Sequence, residues 1–368
     1  MDKRLIVNIN WPLVICALLL FGVGLANLYS ASGVRGDEGV EFSSYFTRQI
    51  VWGGAGLVGM LFVMLFDYRH LKGLATPMFV FSIGLLLLVL VAGTTVNGAR
   101  RWISLGLFNF QPSEVVKISC LIMVAAILSR MKPSLGWIEL GTVLVLICTP
   151  CVLIFLQPDL GTALSIFFLA GGMILFHGIK GSVFKICCVT IPLVAPLGWL
   201  VIEDYHKRRI LTFLDPSSDP RGAGYHIQQS KIAIGSGELW GKGFLGGTQS
   251  QLRFLPEKHT DFAIAVFGEE WGFVGCVLLL ILFACFLLCI ISTARDAKDR
   301  FGSLLCAGIF FYFFLQILIN IGMVVGIFPV VGIPLPFISY GGTAALVNFV
   351  LLGIVLNVAM RRFFFKAQ

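Results

Sequence analysis

The stretch LPEKHTDFAIAVFGEEWG, residues 255–272, is where a long hydrophilic segment gives way to an apolar run. Residues 203–261 hold seven acidic residues, eight Lys or Arg residues, and His206, His226 and His259. On either side lie apolar runs long enough to cross a bilayer. A chain that confines its polar chemistry to one long loop is expected to act where that loop meets the membrane. Asp261 stands at this lip, with Glu269 and Glu270 eight and nine residues further on.

Composition excludes a soluble domain. The 368 residues are 58% hydrophobic and 12% charged, about half the charge share of soluble domains. The net charge of +8 does not indicate nucleic acid, because the basic residues sit at the ends of apolar runs, as suits a membrane surface. All ten cysteines fall inside apolar runs, which argues against a disulfide framework. Cys148 and Cys151 have CxxC spacing but no second pair, so they read as small core residues. The N-terminus runs from MDKRLIVNIN into an apolar stretch without a small-residue cleavage site, and reads as a retained first span.

Working outward from the polar segment, apolar runs lie near 11–30, 49–66, 76–93, 110–129, 140–156, 160–176, 186–202 and 262–292. Residues 301–360 contain no charge at all. That length is too great for one crossing, so PLPFISYGG (334–342) must turn it into two. The expectation is an all-α polytopic membrane protein forming one domain over 1–368. It has about ten spans and one long extracytoplasmic loop between spans seven and eight.

An even count puts both termini on one side. That side collects most of the basic residues, including Lys3, Arg69, Lys72, Arg130, Arg295 and Arg361, whereas the opposite short loops hold Arg35, Arg48, Arg100 and Arg101. The positive-inside rule then places both termini in the cytoplasm and the long loop outside. Within the loop, HIQQSKIAIGSG (226–237) is patterned as a short helix lying on the outer membrane surface.

Four constellations carry possible chemistry. GKGFLG (241–246) matches the letters of a dinucleotide loop, but no βαβ unit surrounds it; it reads as a flexible loop shaping the mouth of a site. FQPSEVVK (110–117) places Pro112 and Glu114 in a first helical turn and Lys117 at i+3 on the same face. That face is either a cavity wall or a buried structural ion pair. In NGARRWISLG (97–106), Arg100, Arg101 and Trp102 are either interfacial residues or a grip on pyrophosphate, which the planar fork of Arg suits. Asp261 either caps the eighth span or acts as a general base near Lys258 and His259.

With NGARRWI, FQPSEVVK, QPDLGTA, GKGFLGGTQSQLRFLPEKHTDFAIAVFGEE and PLPFISYGGTA in that order, essentially the whole chain resembles the SEDS family (shape, elongation, division and sporulation). The resemblance is to its rod-shape branch, RodA, more than to the division branch, FtsW. One departure is Ala263-Ile264-Ala265 after the motif Asp-Phe, where bulkier residues are expected. The resemblance implies a peptidoglycan glycosyltransferase in the bacterial cytoplasmic membrane that polymerises lipid II at the outer face for cell elongation and rod shape. It implies that Asp261 is the essential acid, and it maps the family's Trp, Glu and Lys onto Trp102, Glu114 and Lys117. Arg100, Arg101, Lys258 and His259 join the substrate-binding set. It further implies a class B penicillin-binding transpeptidase as partner. No cofactor is assigned, and dependence on a divalent cation is left open. The alternatives from other classes are a lipid II flippase and a noncatalytic scaffold for the transpeptidase. A flippase should carry its charges near mid-membrane in paired repeats, whereas Glu114, Lys117 and the long loop lie toward the outer face.

Overall fold

The structure is a computed structural model. It describes the chain except residues 1–6, 33–34, 37–38, 41–43, 97–98, 105–108, 202–203, 216–218, 220–221, 252–257 and 363–368. Helix α1 (Trp11–Ser32) leads through strands β1 (Arg35–Gly36) and β2 (Gly39–Val40) into α2 (Ser44–Leu65) and α3 (Arg69–Ala92). Strands β3 (Thr94–Val96), β4 (Ala99–Ser104) and β5 (Asn109–Phe110) precede α4 (Pro112–Leu128), α5 (Trp137–Phe155), α6 (Leu160–His177) and α7 (Gly181–Val201). The long loop holds α8 (Asp204–Leu214), α9 (Ala223–Ser236) and α10 (Thr248–Gln251). It ends in α11 (Ala263–Asp296), and α12 (Arg300–Val325) and α13 (Gly342–Arg361) complete the chain.

Eight of these helices are long and apolar enough to cross a membrane. The other two expected spans, four and seven, are filled by α4 and α7. The protein is a multi-pass, nearly all-helical membrane protein. The exposed apolar residues, such as Val58, Phe81, Val91 and Leu193, are what lipid-facing helices require. α4 is different: it is buried on nearly every side and packs against α3, α6 and α12. A helix apolar all round belongs in the middle of a bundle, and this one carries Glu114 and Lys117 into the protein interior.

Ten crossings sort the connections into two groups. The strands, the long loop, 156–159 and 326–341 share one end. The turns at 66–68, 129–136, 178–180 and 297–299 share the other. The second end is closed by polar side chains. Asn357 donates to the carbonyls of Val63 (2.6 Å) and Phe66 (2.5 Å), and Tyr68 donates its hydroxyl to Asp299.

At the first end α11 is interrupted. Gly272 has φ 65° and ψ −164°, in the left-handed half of backbone space that glycine tolerates. The backbone groups released by this break are taken up by the loop that follows α9. Phe273 N–H donates to Glu238 O (2.8 Å), while Lys242 and Gly243 N–H donate to Glu269 O and Glu270 O (each 3.0 Å). Broken helices persist in membranes where such partners satisfy the freed groups. Below this end, Phe337 of the 326–341 segment inserts among Phe286, Phe313 and Phe349, with ring centroids 5.2–5.8 Å away. That aromatic anchor holds the segment against the bundle.

The helix expected on the outer membrane surface does form, as α9, but it does not lie free on a surface. Ile227, Ser230 and Ala233 are buried on its inner face, and Ser230 Oγ donates to Val324 O at 2.9 Å. Its apolar stripe covers α11 and α12.

Candidate active site

A cavity of about 700 Å³ opens at the end that carries the strands and the long loop. Its walls come from the start of α2 (Thr47, Arg48, Trp52), from β4 (Arg101, Trp102), and from the starts of α4 and α6 (Glu114, Lys117, Asp159, Thr162). Thr260 and Asp261 close one side, and Gly332–Pro334 with Tyr340–Ala344 close another. The volume is that of a small-molecule site.

Glu114 and Lys117 meet as the i, i+3 spacing requires, with Nζ 2.7 Å from Oε1. Each is about 5% exposed. Both alternatives raised by the sequence hold at once: the two form a buried ion pair, and the pair lines the cavity. Lys117 Nζ also lies 5.7 Å from the ring centre of Tyr312, a cation–π distance. The second carboxylate oxygen of Glu114 is buried without a hydrogen-bond partner among the described residues.

Arg101 and Trp102 reach the wall on a strand, which the helical pattern did not foresee. β4 pairs antiparallel with β3, Thr94 opposite Trp102, and with β5, Ile103 opposite Phe110. Arg101 Nε donates to Gln157 O at 3.2 Å, a second guanidinium N–H donates to Pro158 O, and Nη1 stands 3.8 Å from Asp159 Oδ1. Asp159 in turn caps α6, accepting from Thr162 N (3.1 Å) and Thr162 Oγ1 (2.9 Å). The motif QPDLGTA thus locks the strand to the bundle. Arg100 occupies β4 opposite Thr95; its side chain lies outside the described residues.

Asp261 lies on the wall. Phe262 occupies the N-cap position of α11, with Asp261 one residue before it. Asp261 is held by its backbone: its carbonyl accepts from Asn320 Nδ2 at 3.0 Å. Two positions earlier, His259 O accepts from Tyr340 N at 2.8 Å. A Cβ placed on Gly332 would lie 3.5 Å from Asp261 Oδ2, so the carboxylate packs against glycine backbone. Lys258 and His259 are not on the cavity wall. The His259 ring instead stacks on Tyr45, with centroids 4.9 Å apart.

The glycine loop 241–246 is not on the wall either. Its conformation is set by Glu269, which is fully buried. That carboxylate accepts from Lys242 Nζ (2.8 Å), Thr248 Oγ1 (3.0 Å) and Gln249 N (2.9 Å). The loop is stitched to the break in α11 and does not shape the mouth.

Sequence reading missed the opposite wall. Arg48 and Thr47 lie in the first turns of α2, and Gln49 ties them to the start of α13, accepting from Gly341 N at 3.2 Å. Tyr45 and Tyr340 meet edge to face at 5.1 Å, and Trp52 lies on Gly342, where a Cβ would collide with it. The available signal was a basic residue and an indole four positions apart at a helix start. It became informative only when α13 was placed beside it.

With this geometry in place, comparison with known proteins is decisive. The family model described as cell cycle protein (FtsW, RodA, SpoVE) matches residues 10–363. The peptidoglycan glycosyltransferase MrdB of Escherichia coli (strain K12) is 42% identical over 354 residues, covering 95% of this chain and 92% of MrdB. The peptidoglycan glycosyltransferase RodA of Treponema pallidum is 32% identical, covering 98% of this chain and 100% of its own. A chain from a peptidoglycan synthase complex that coordinates polymerization and crosslinking superposes with a TM-score of 0.83 at 30% identity, over 96% of this chain and 98% of that one. The RodA structure from Thermus thermophilus gives 0.73 at 28% identity, with the same coverage. The chain belongs to the FtsW, RodA and SpoVE cell cycle family, the SEDS family that its motifs resemble.

Proposed function

We propose that this peptidoglycan glycosyltransferase polymerises lipid II in the 700 Å³ cavity, with Asp261 as general base. The observation that carries the reading is that one cavity gathers the Asp261 carboxylate with the cations Arg48, Arg101 and Lys117 and the indole of Trp102. The other two carboxylates on the wall, Glu114 and Asp159, stand beside Lys117 and Arg101. The 4-hydroxyl of an acceptor GlcNAc attacks the donor's anomeric carbon, and its proton passes to the Asp261 carboxylate. The bond from that carbon to the pyrophosphate oxygen breaks, and undecaprenyl pyrophosphate leaves as the anion. Base help and charge stabilisation of the leaving group are both needed.

The three cations differ in kind. Lys117 is neutralised by Glu114, and Arg101 stands beside Asp159 and two carbonyls. Among the described residues no carboxylate pairs with Arg48. Its guanidinium is therefore assigned to the leaving pyrophosphate, with Lys117 and Arg101 ordering the opposite wall. Trp102 packs on sugar or lipid. Lys258, His259 and Arg100 are given supporting roles around the Asp261 and β4 segments. The chemistry is assigned to the chain's own groups, and dependence on a divalent cation is a question for chelation during turnover.

The positive-inside argument supports a cytoplasmic-membrane enzyme with both termini in the cytoplasm and the cavity at the outer face. The solved synthase complex supports a crosslinking partner, assigned here as a class B penicillin-binding transpeptidase. The deciding experiment gives labelled lipid II to purified wild-type and Asp261→Asn protein, with and without the transpeptidase. Loss of a general base costs about 10²–10⁴-fold, so glycan should nearly vanish with Asn. Near-normal glycan from folded Asp261→Asn protein would remove Asp261 from the base role.

A further inference from the structure

The geometry points to Asn320 of α12 as the positioning residue that sets Asp261 for proton transfer. This rests on the general-base reading of Asp261. Asn320 is fully buried. Its Nδ2 carries two hydrogens, and each has an acceptor: Asp261 O at 3.0 Å and Ile333 O at 2.8 Å. Those carbonyls belong to two separate segments, 258–262 before α11 and 326–341 before α13. Both segments line the cavity at the acid. One side-chain amide therefore joins the segment that carries the base to the segment that faces it.

The chemistry of the site requires an amide here. Two carbonyl oxygens converge on one point, and among uncharged side chains only an amide NH₂ supplies two donors from a single atom. Aspartate has the same shape but no donor when ionised, and leucine fills similar space with none. Asn320 Oδ1 is buried without a hydrogen-bond partner among the described residues. The side chain is thus oriented by its two donors, and turning it over would face its oxygen against both carbonyls. The consequence for Asp261 is direct. Gly332 precedes Ile333, and a Cβ on Gly332 would lie 3.5 Å from Asp261 Oδ2. Fixing Ile333 O and Asp261 O to one amide fixes the spacing between the carboxylate and this wall. A second tie, from Tyr340 N–H to His259 O at 2.8 Å, joins the same two segments two residues before the acid.

The test measures kcat and KM for lipid II with full-length protein in complex with its transpeptidase. The variants are Asn320→Ala, Asp261→Asn and the double variant, each normalised to folded protein by thermal melting. Asn320→Ala should leave KM within about twofold and lower kcat about 10–100-fold, the loss that a displacement near 1 Å can cause. In the Asp261→Asn background, Asn320→Ala should remove little further activity, because its effect passes through that carboxylate. If Asn320→Ala does not accumulate, Asn320→Gln, which keeps both donors on a longer arm, is measured for the same kcat loss at unchanged KM. Wild-type kcat in a folded variant, a change confined to KM, or an undiminished further loss on Asp261→Asn each overturns the positioning role. A near-normal Asp261→Asn protein marks the separate failure of the base reading.

Discussion

Lys117 Nζ lies 2.7 Å from Glu114 Oε1 in a pair that is buried and yet faces the same cavity as Asp261. Neutralising one partner leaves the other charge buried and unpaired, which typically costs about 3–5 kcal/mol. Glu114→Gln should therefore lower the melting temperature as well as polymerisation. Adding Lys117→Met should restore much of the melting temperature while activity stays lost. Recovery of glycan synthesis in that double variant would mean the pair is structural only.

Arg48 is exposed at a helix start, so replacing it should leave folding intact. A hydrogen bond to a charged group contributes about 1.5–3 kcal/mol. Arg48→Gln should accordingly reduce kcat/KM for lipid II about 10–100-fold, and inhibition by added undecaprenyl pyrophosphate should weaken. Arg48→Lys, which keeps the charge but loses the fork, should fall between. An unchanged kcat/KM in Arg48→Gln protein would take the pyrophosphate away from this wall.

Gly272 tests the break in α11. Alanine there must adopt φ near 65°, a strain of about 1–3 kcal/mol. Its Cβ would also meet the backbone of Leu239 and Gly241. Gly272→Ala should loosen the loop at 238–249, visible as faster proteolysis or amide exchange there. Exchange in α12 and α13 should be little altered. Uniform destabilisation across the bundle would contradict a local stitch.

Orientation is tested by labelling. In a cysteine-free background, Glu238→Cys lies exposed in the long loop and Ser134→Cys lies exposed at the opposite end. A membrane-impermeant maleimide applied to cells with an accessible outer surface should label the first and not the second. The reverse pattern would place the cavity in the cytoplasm and end the outer-face mechanism.

Much of this molecule was legible in one dimension. Ten crossings follow from apolar runs whose length is set by bilayer thickness, and so does a turn within 301–360, although the helix ends earlier than the expected 334–342, at Val325 with left-handed Gly326 as its cap. The Glu114–Lys117 contact follows from 3.6 residues per turn, which needs no partner helix. Asp261 stood out as a candidate because it is the carboxylate at which the long polar loop meets the eighth apolar run. Tertiary structure alone decided the rest, because those relationships join residues far apart in sequence and leave no local period. Arg48 faces the cavity only because Gln49 reaches Gly341, 292 positions away. His259 fell outside the wall, although it lies two residues from Asp261 in the chain, because its ring stacks on Tyr45 and its carbonyl accepts from Tyr340 N–H; Lys258 is likewise absent from the wall. Asn320, polar in a charge-free apolar run, has no readable role until two carbonyls 59 and 13 positions away converge on its amide.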